Sequence, residues 1–140
     1  MKPYRHTVQY YETDKMGITH HSNYIRWMEE ARIDFLSQIG WDYARLEEMG
    51  VISPVIGIDC RYLTASTFSD VIEIAISVEE LKGVRLKLFY EMRNEAGEIV
   101  CRGHSEHCCV NSAGKPIRLK KEQPEFYQAL EMLAEVKQDI

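Results

Sequence analysis

The chain has 140 residues and a mass of 16.3 kDa, the usual length of one domain. Apolar residues make up 45% and charged residues 28% of the chain, a balance that argues against intrinsic disorder. The formal net charge is −5, from 17 basic and 22 acidic residues. A nucleic-acid partner is therefore not expected, because such a partner needs a basic face.

The sequence predicts neither membrane insertion nor export. It has no run of about 18 apolar residues, the length that a transmembrane helix needs. Residues 1–10 contain three basic side chains and no apolar core, so no signal peptide is expected. The four cysteines form no C-x-x-C pair, and Cys108 and Cys109 are adjacent. We interpret them as reduced thiols of a cytoplasmic protein.

The hydrophobic period changes along the first 50 residues. Residues 5–11 alternate loosely and predict a first strand, and the polar segment that follows predicts a loop around Gly17. From residue 24 to 39, apolar side chains recur at i, i+3, i+4 and i+7, which predicts a helix of about four turns. Ser22 or Asn23 can cap its start, and Gly40 stands at the C′ position. A second, short helix is predicted over residues 43–49.

The remaining residues predict strands joined by tight turns. Strand patterns cover residues 51–62, 71–78, 83–93 and 98–110, with the turns N-E-A-G and N-S-A-G after the last two of them. Pro124 can open a terminal helix. Consecutive hairpins give an antiparallel sheet, and a long apolar helix needs a sheet face to cover it. The predicted fold class is α+β, with a curved antiparallel sheet wrapped around one long central helix, in a single domain over residues 1–140.

The residues that favour chemistry lie just before and at the start of the long helix. Asp14 lies in the loop, seven residues before His21. Free N–H groups at a helix N-terminus can hold a developing oxyanion while a carboxylate attacks a carbonyl or directs water at it. An Asp before a helix is more often a cap, but Asp14 is about eight residues upstream of the predicted N-cap, which is too far for simple capping.

This segment resembles a known family. The pattern D-x-x-G-[IV]-x-x-H-x-x-Y, followed by a W-x-E-x-A-R helix, is similar to that of the 4-hydroxybenzoyl-CoA thioesterase branch of the hotdog-fold thioesterases. Its close relatives are the Tol–Pal-associated and the long-chain acyl-CoA thioesterases. The residues that carry the resemblance are Asp14, Gly17, Ile18, His21, Tyr24, Trp27, Glu29, Ala31 and Arg32.

The resemblance implies a hotdog fold and hydrolysis of an acyl-CoA thioester, with no metal and no cofactor, since CoA is part of the substrate. It implies that Asp14 is the catalytic carboxylate, acting as nucleophile or general base. The backbone N–H of His21 would polarise the thioester carbonyl, and its side chain is a further candidate for the site. Gly17 would permit the tight loop that presents Asp14.

The resemblance also implies substrate-binding residues and an assembly. Ile18 and Tyr24 are expected to line the pocket. A pocket tyrosine of the family falls on Tyr10 or Tyr11. The expected assembly is a homodimer or a homotetramer, with sites lined by two chains.

Other reaction classes have weaker signals. The histidines have no spacing that would gather three or four metal ligands, and neither a G-x-S-x-G elbow nor a nucleotide-binding glycine motif occurs. Two alternatives stay open at this point. One is a non-catalytic acyl-CoA-binding hotdog module, and the other is a hotdog hydratase or dehydratase.

Overall fold

The computed structural model describes residues 1–138, so the last two residues of the predicted domain lie outside the described part. The described chain forms five strands and four α-helices. The strands are β1 (Tyr4–Thr7), β2 (Val55–Tyr62), β3 (Val71–Lys82), β4 (Arg85–Arg93) and β5 (Ile99–Cys108). The helices are α1 (Ser22–Gln38), α2 (Tyr43–Glu48), α3 (Leu119–Glu122) and α4 (Pro124–Gln138).

The five strands form one antiparallel sheet in the order β1-β3-β4-β5-β2. β1 pairs with β3 in a register that places Tyr4 opposite Ile74. Both predicted turns are present, since Gly97 donates its N–H to Asn94 and Gly114 donates to Asn111. The α+β class is confirmed, with one long helix, a terminal helix and a sheet made mainly of hairpins.

The first strand is shorter than its sequence pattern predicts. β1 ends at Thr7, and residues 10–12 form a 3-10 turn instead of continuing the strand to residue 11. Val8 still exchanges backbone hydrogen bonds with the residues just before β3. Beyond Val8 the chain turns because the Glu12 carboxylate accepts the N–H of Gln9 at 2.8 Å, a local bond that an extended chain could not make.

Contacts divide the chain into two compact units, of which the first comprises Met1–Phe35, Asp59–Ile76 and Tyr90–Gly103. Its core is the apolar stripe of α1 together with the inward residues of the strands. The guanidinium of Arg32 donates to the Tyr90 hydroxyl at 3.0 Å, which pairs this buried polar group. A Cβ on Gly103 would collide with the Asp59 carbonyl and the Met28 methyl group, so glycine permits this close packing. Fully buried members of the core are Trp27, Met28, Ile72, Tyr90, Met92, Val100 and Cys101.

The second unit holds the end of α1 and the other three helices. Gly40 has φ of +82° and donates to Ser37, and Trp41 donates to Leu36, which together form a Schellman motif. The predicted C′ glycine is thus confirmed. Trp41 packs against Phe126 of α4 with ring centroids 5.2 Å apart. Within the described part of the chain, no helix is long and apolar enough to cross a membrane.

Candidate active site

A cavity of about 300 Å³ opens in the first unit beside the start of α1. Four of the predicted site residues contribute to its wall, namely Asp14, Ile18, His21 and Tyr24. The other lining residues are Met16, Thr19, Tyr62, Leu63, Thr64 and Ala65. The fold therefore brings the carboxylate candidate and the helix N-terminus to one concave surface.

Asp14 occupies the first position of a tight turn, D-K-M-G. Its carbonyl accepts the N–H of Gly17 at 2.9 Å, and Gly17 has φ of +80°. Asp at the first and Gly at the fourth position are typical of this kind of turn. One carboxylate oxygen of Asp14, Oδ1, accepts the N–H of Met16 at 2.8 Å. The second oxygen accepts no hydrogen bond from the described residues, so it is available to react.

The N-terminus of α1 presents an unused donor to the same cavity. The Ser22 N–H points to the Nδ1 atom of His20 at 3.2 Å, and the Asn23 N–H donates to the His20 carbonyl. The backbone N–H of His21 makes no hydrogen bond within the described chain. An N–H group at the positive end of a 17-residue helix is a suitable donor to an anionic oxygen.

Neither predicted N-cap side chain is observed in that role. The Asn23 side chain donates to the carbonyls of Glu12 and His20 at 2.9 and 3.2 Å. Ser22 is the first helical residue, and its hydroxyl lies 2.8 Å from the His20 ring. The loop carbonyls that precede the helix need donors, and Asn23 supplies them because it is buried next to them.

A buried hydroxyl cluster supports the inner wall of the cavity. Ser66, which is 1% exposed, lies 2.9 Å from the Tyr24 hydroxyl and 2.6 Å from the Thr19 hydroxyl. The N–H of Thr19 also donates to the Ser66 carbonyl. Burial raises the pKa of Tyr24, so its phenol stays protonated and keeps this geometry.

Three predicted site residues do not line this cavity. The side chains of Tyr10 and Tyr11 are 76% and 80% exposed, and Tyr10 packs edge-on against Phe68 at 5.8 Å. Gly17 contributes to the turn instead, where its carbonyl accepts the Thr67 hydroxyl at 2.8 Å. A pocket role for Tyr10 or Tyr11 stays a prediction, and their exposure leaves them accessible to a second chain or to substrate.

Tyr62 and Cys60 were not singled out from the sequence. Tyr62 lines the cavity from the end of β2, and its hydroxyl donates to the His21 carbonyl at 3.2 Å. A hydrogen bond with Cys101 lowers the pKa of Cys60 to about 7, against the opposing effect of burial. No motif marks either residue, because both lie about 40 residues from His21 in a strand of ordinary composition.

Comparison with known proteins assigns the family. The family model described as the Thioesterase-like superfamily matches residues 8–138. The chain belongs to the Thioesterase-like superfamily. Its relatives include YneP of Bacillus subtilis (strain 168), by its name a candidate acyl-CoA thioesterase, which is 34% identical over 125 residues. That alignment covers 89% of this chain and 91% of YneP.

Two further relatives carry the names of specific activities. The 1,4-dihydroxy-2-naphthoyl-CoA hydrolase of Thermosynechococcus vestitus is 29% identical over 79% of this chain and 76% of its own length. The crystal structure of a DHNA-CoA thioesterase from Staphylococcus aureus matches with a TM-score of 0.90 and 32% identity, covering 99% of this chain and 93% of that chain.

Membership of the Thioesterase-like superfamily confirms two predictions. The fold is the hotdog fold, with α1 as its central helix. The class of activity is that of a hydrolase of acyl-CoA thioesters. No group of three or more His, Cys, Asp or Glu side chains in the described part of this superfamily member is placed to hold a metal ion.

Proposed function

We propose that the protein hydrolyses an acyl-CoA thioester with the Asp14 carboxylate as nucleophile or general base and the His21 N–H as the donor to the carbonyl oxygen. The observation that carries the proposal is that both groups line one cavity and that neither is fully paired inside the protein. The substrate would place its thioester between them, and no cofactor takes part.

The proposed chemistry uses charge that develops during the reaction. As the thioester carbonyl becomes tetrahedral, its oxygen gains negative charge, which the His21 N–H and the dipole of α1 stabilise. Asp14 either adds to the carbonyl carbon, giving a mixed anhydride that water then cleaves, or removes a proton from the attacking water. In both routes the C–S bond breaks and CoA leaves as a thiolate that is protonated by solvent.

The finer assignment to the 4-hydroxybenzoyl-CoA thioesterase branch, with its Tol–Pal-associated and long-chain relatives, belongs to this proposal. Support comes from the pattern from Asp14 to Arg32 and from the relatives named for an aromatic acyl-CoA. A substrate panel should therefore pair 4-hydroxybenzoyl-CoA and 1,4-dihydroxy-2-naphthoyl-CoA with straight-chain acyl-CoAs of increasing length.

The test is release of free CoA thiol from this panel, followed with a thiol-reactive dye, by the wild type and by Asp14→Asn. Asn has the size of Asp but cannot attack as an anion or take a proton from water. We expect kcat to fall by at least about 100-fold, with KM changed much less, as removal of a base or nucleophile requires. The matched control Glu95→Gln, in the turn after β4, should keep wild-type turnover.

Three results would contradict this proposal. A folded Asp14→Asn variant with wild-type turnover would remove Asp14 from the mechanism. Absence of turnover of every substrate, with acyl-CoA still bound, would favour a non-catalytic binding module. Formation or loss of a double bond in the acyl chain, without thiol release, would favour the hydratase or dehydratase alternative.

We also propose that the active protein is a homo-oligomer joined through β2. This strand lies at one edge of the sheet, and most of its residues are exposed, including Val55 and Ile56 at 43% and 51%. An exposed apolar edge invites pairing with another strand, and symmetric pairing would bring the second chain to Tyr62 and the cavity. Light scattering that gives a stable mass of one chain, 16.3 kDa, under assay conditions would refute this assembly.

A further inference from the structure

Glu12 is a buried carboxylate that does not line the cavity. The residue is 4% exposed, and its carboxylate has three hydrogen-bond partners. Oε1 accepts the N–H of Gln9 at 2.8 Å and lies 2.8 Å from Nε2 of His6, and Oε2 accepts the indole N–H of Trp27 at 2.7 Å. Burial by itself would raise the pKa of Glu12, but these bonds hold it below its usual value, so the group is ionised at neutral pH.

The backbone of Glu12 forms the base of the hairpin that carries Asp14. The Glu12 carbonyl accepts the N–H of His20 at 2.8 Å and the side-chain amide of Asn23 at 2.9 Å. Two residues further on, Asp14 donates its N–H to the Ile18 carbonyl. The place of Glu12 therefore determines where Asp14 lies on one side of the hairpin and where His21, just before the first residue of α1, lies on the other.

The carboxylate ties this hairpin to α1. Trp27 is fully buried on α1 and cannot move without disturbing the core. Its hydrogen bond to Glu12 thus fixes the hairpin to the same helix whose N-terminus supplies the His21 N–H. His6 fixes Glu12 from β1 on the other side, and its second ring nitrogen, Nδ1, lies 3.1 Å from Glu30.

We infer that Glu12 is a positioning residue for the thioesterase reaction, whose carboxylate sets the separation between Asp14 and the His21 N–H through its bond to Trp27. This inference rests on the proposed function of Asp14 and His21. A displacement of about 1 Å between reacting groups can cost on the order of 100-fold in rate. Loss of the carboxylate should therefore lower kcat even when the protein stays folded.

The first experiment compares Glu12→Gln with the matched control Glu30→Gln. In Glu12→Gln an NH₂ group, which only donates, replaces one of the two carboxylate oxygens. The side chain therefore cannot accept the hydrogen bonds from Gln9, His6 and Trp27 together. We expect kcat to fall about tenfold or more with KM nearly unchanged. Glu30 bonds with His6 and the Tyr4 hydroxyl but not with the hairpin, so Glu30→Gln should lower the melting temperature and keep kcat.

A second variant keeps the test valid if Glu12→Gln does not fold. Trp27→Phe removes only the indole donor and part of the ring, and the carboxylate remains. It should lower kcat in the same direction, by about threefold to tenfold, because the donor that fixes the Glu12 carboxylate is lost. Both variants break the same bond, between Glu12 and Trp27. The double variant should therefore lose no more kcat than the worse single variant, so the effects of the two substitutions are not additive.

The outcomes separate this inference from the proposed function. If Asp14→Asn is inactive while folded Glu12→Gln and Trp27→Phe both keep kcat within twofold of the wild type, the positioning role is refuted and the proposed function stands. If Asp14→Asn is active and Glu12→Gln is inactive, both are refuted, since Glu12 would then be the reacting carboxylate. Equal loss of kcat in Glu12→Gln and Glu30→Gln would also refute the positioning role of Glu12. The loss would then be a general effect of disturbing His6, which contacts both carboxylates.

Discussion

The hydroxyl of Tyr62 donates a 3.2 Å hydrogen bond to the backbone carbonyl of His21, and so joins the end of β2 to the start of α1. The two side chains also lie edge to face, with ring centroids 6.2 Å apart. Tyr62 therefore holds the peptide that follows His21, while the N–H of His21 itself makes no hydrogen bond within the described chain. Burial, with a further contribution from the neighbouring Cys60, raises the pKa of Tyr62 to about 12, so the donor stays protonated.

The first prediction concerns Tyr62→Phe. The variant keeps the ring and loses the donor to the His21 carbonyl, which loosens the first turn of α1. We expect kcat to fall by about threefold to tenfold, since one ordinary hydrogen bond contributes ~1 kcal/mol. Steady-state hydrolysis of the best substrate measures this change. The matched control is Tyr43→Phe, on α2 and outside the cavity, which should be silent; an equally silent Tyr62→Phe would show that the bond has no catalytic effect.

The sequence predicts the part of the fold that depends on local patterns. The helical stripe gives α1 to within about two residues, and Gly40 ends that helix because only a residue tolerant of positive φ closes a Schellman motif there. The polar segment around Gly17 likewise predicts a loop, and the family resemblance implies the tight turn by which Gly17 presents Asp14. These features need no information from distant parts of the chain.

The parts that were missed depend on distant contacts. Glu12 stands in a polar segment and would ordinarily be exposed, and its burial requires that His6 and Trp27 be folded around it. The 3-10 turn that replaces the end of the first predicted strand has the same origin. Tyr62 reaches the cavity, and Ser66 the hydroxyls of Thr19 and Tyr24 behind it, only after β2 has been placed in the sheet, so no spacing in the sequence connects them to Asp14.

The second prediction is a loss of stability in acid that depends on Glu12. Hydrogen bonds lower the pKa of Glu12 in the folded protein below its usual 4.5, so the unfolded chain binds this proton more readily. The stabilisation is therefore fully present above pH 4.5 and is lost as the pH falls through the lower, folded pKa. Melting temperatures of the wild type and Glu12→Gln should differ most near pH 7 and converge in acid; a constant difference would contradict this.

The third prediction is selective reactivity of the Cys60 thiol. The hydrogen bond with Cys101 lowers the pKa of Cys60 to about 7, whereas burial raises the pKa of Cys109 to about 12. Since the thiolate is the nucleophile, alkylation of Cys60 by iodoacetamide should be half-maximal near pH 7 and should precede that of the two buried thiols, Cys101 and Cys109. Mass spectrometry of the peptides after timed alkylation measures this order, and Cys60→Ser identifies the peptide.

The fourth prediction is that turnover does not depend on a metal or on a disulfide. Within the described residues no ligand cluster is placed to hold an ion, and all four cysteines are free thiols. Incubation with EDTA and a reducing agent, followed by their removal before the dye-based assay, should leave kcat unchanged. Loss of activity that zinc restores would show that the histidines bind a metal in the working enzyme.

The last prediction separates the two groups that His21 can offer. His21→Ala removes the imidazole but keeps the backbone N–H and the carbonyl that accepts the Tyr62 hydroxyl. If the N–H is the main donor to the thioester oxygen, kcat should fall by less than about tenfold, far less than in Asp14→Asn, where a general base or nucleophile is lost. The control is His104→Ala on β5, which does not line the cavity and should keep kcat. A loss as large as that of Asp14→Asn, with the oligomeric state unchanged, would assign the imidazole itself to the reaction and reduce the N–H to a secondary contribution.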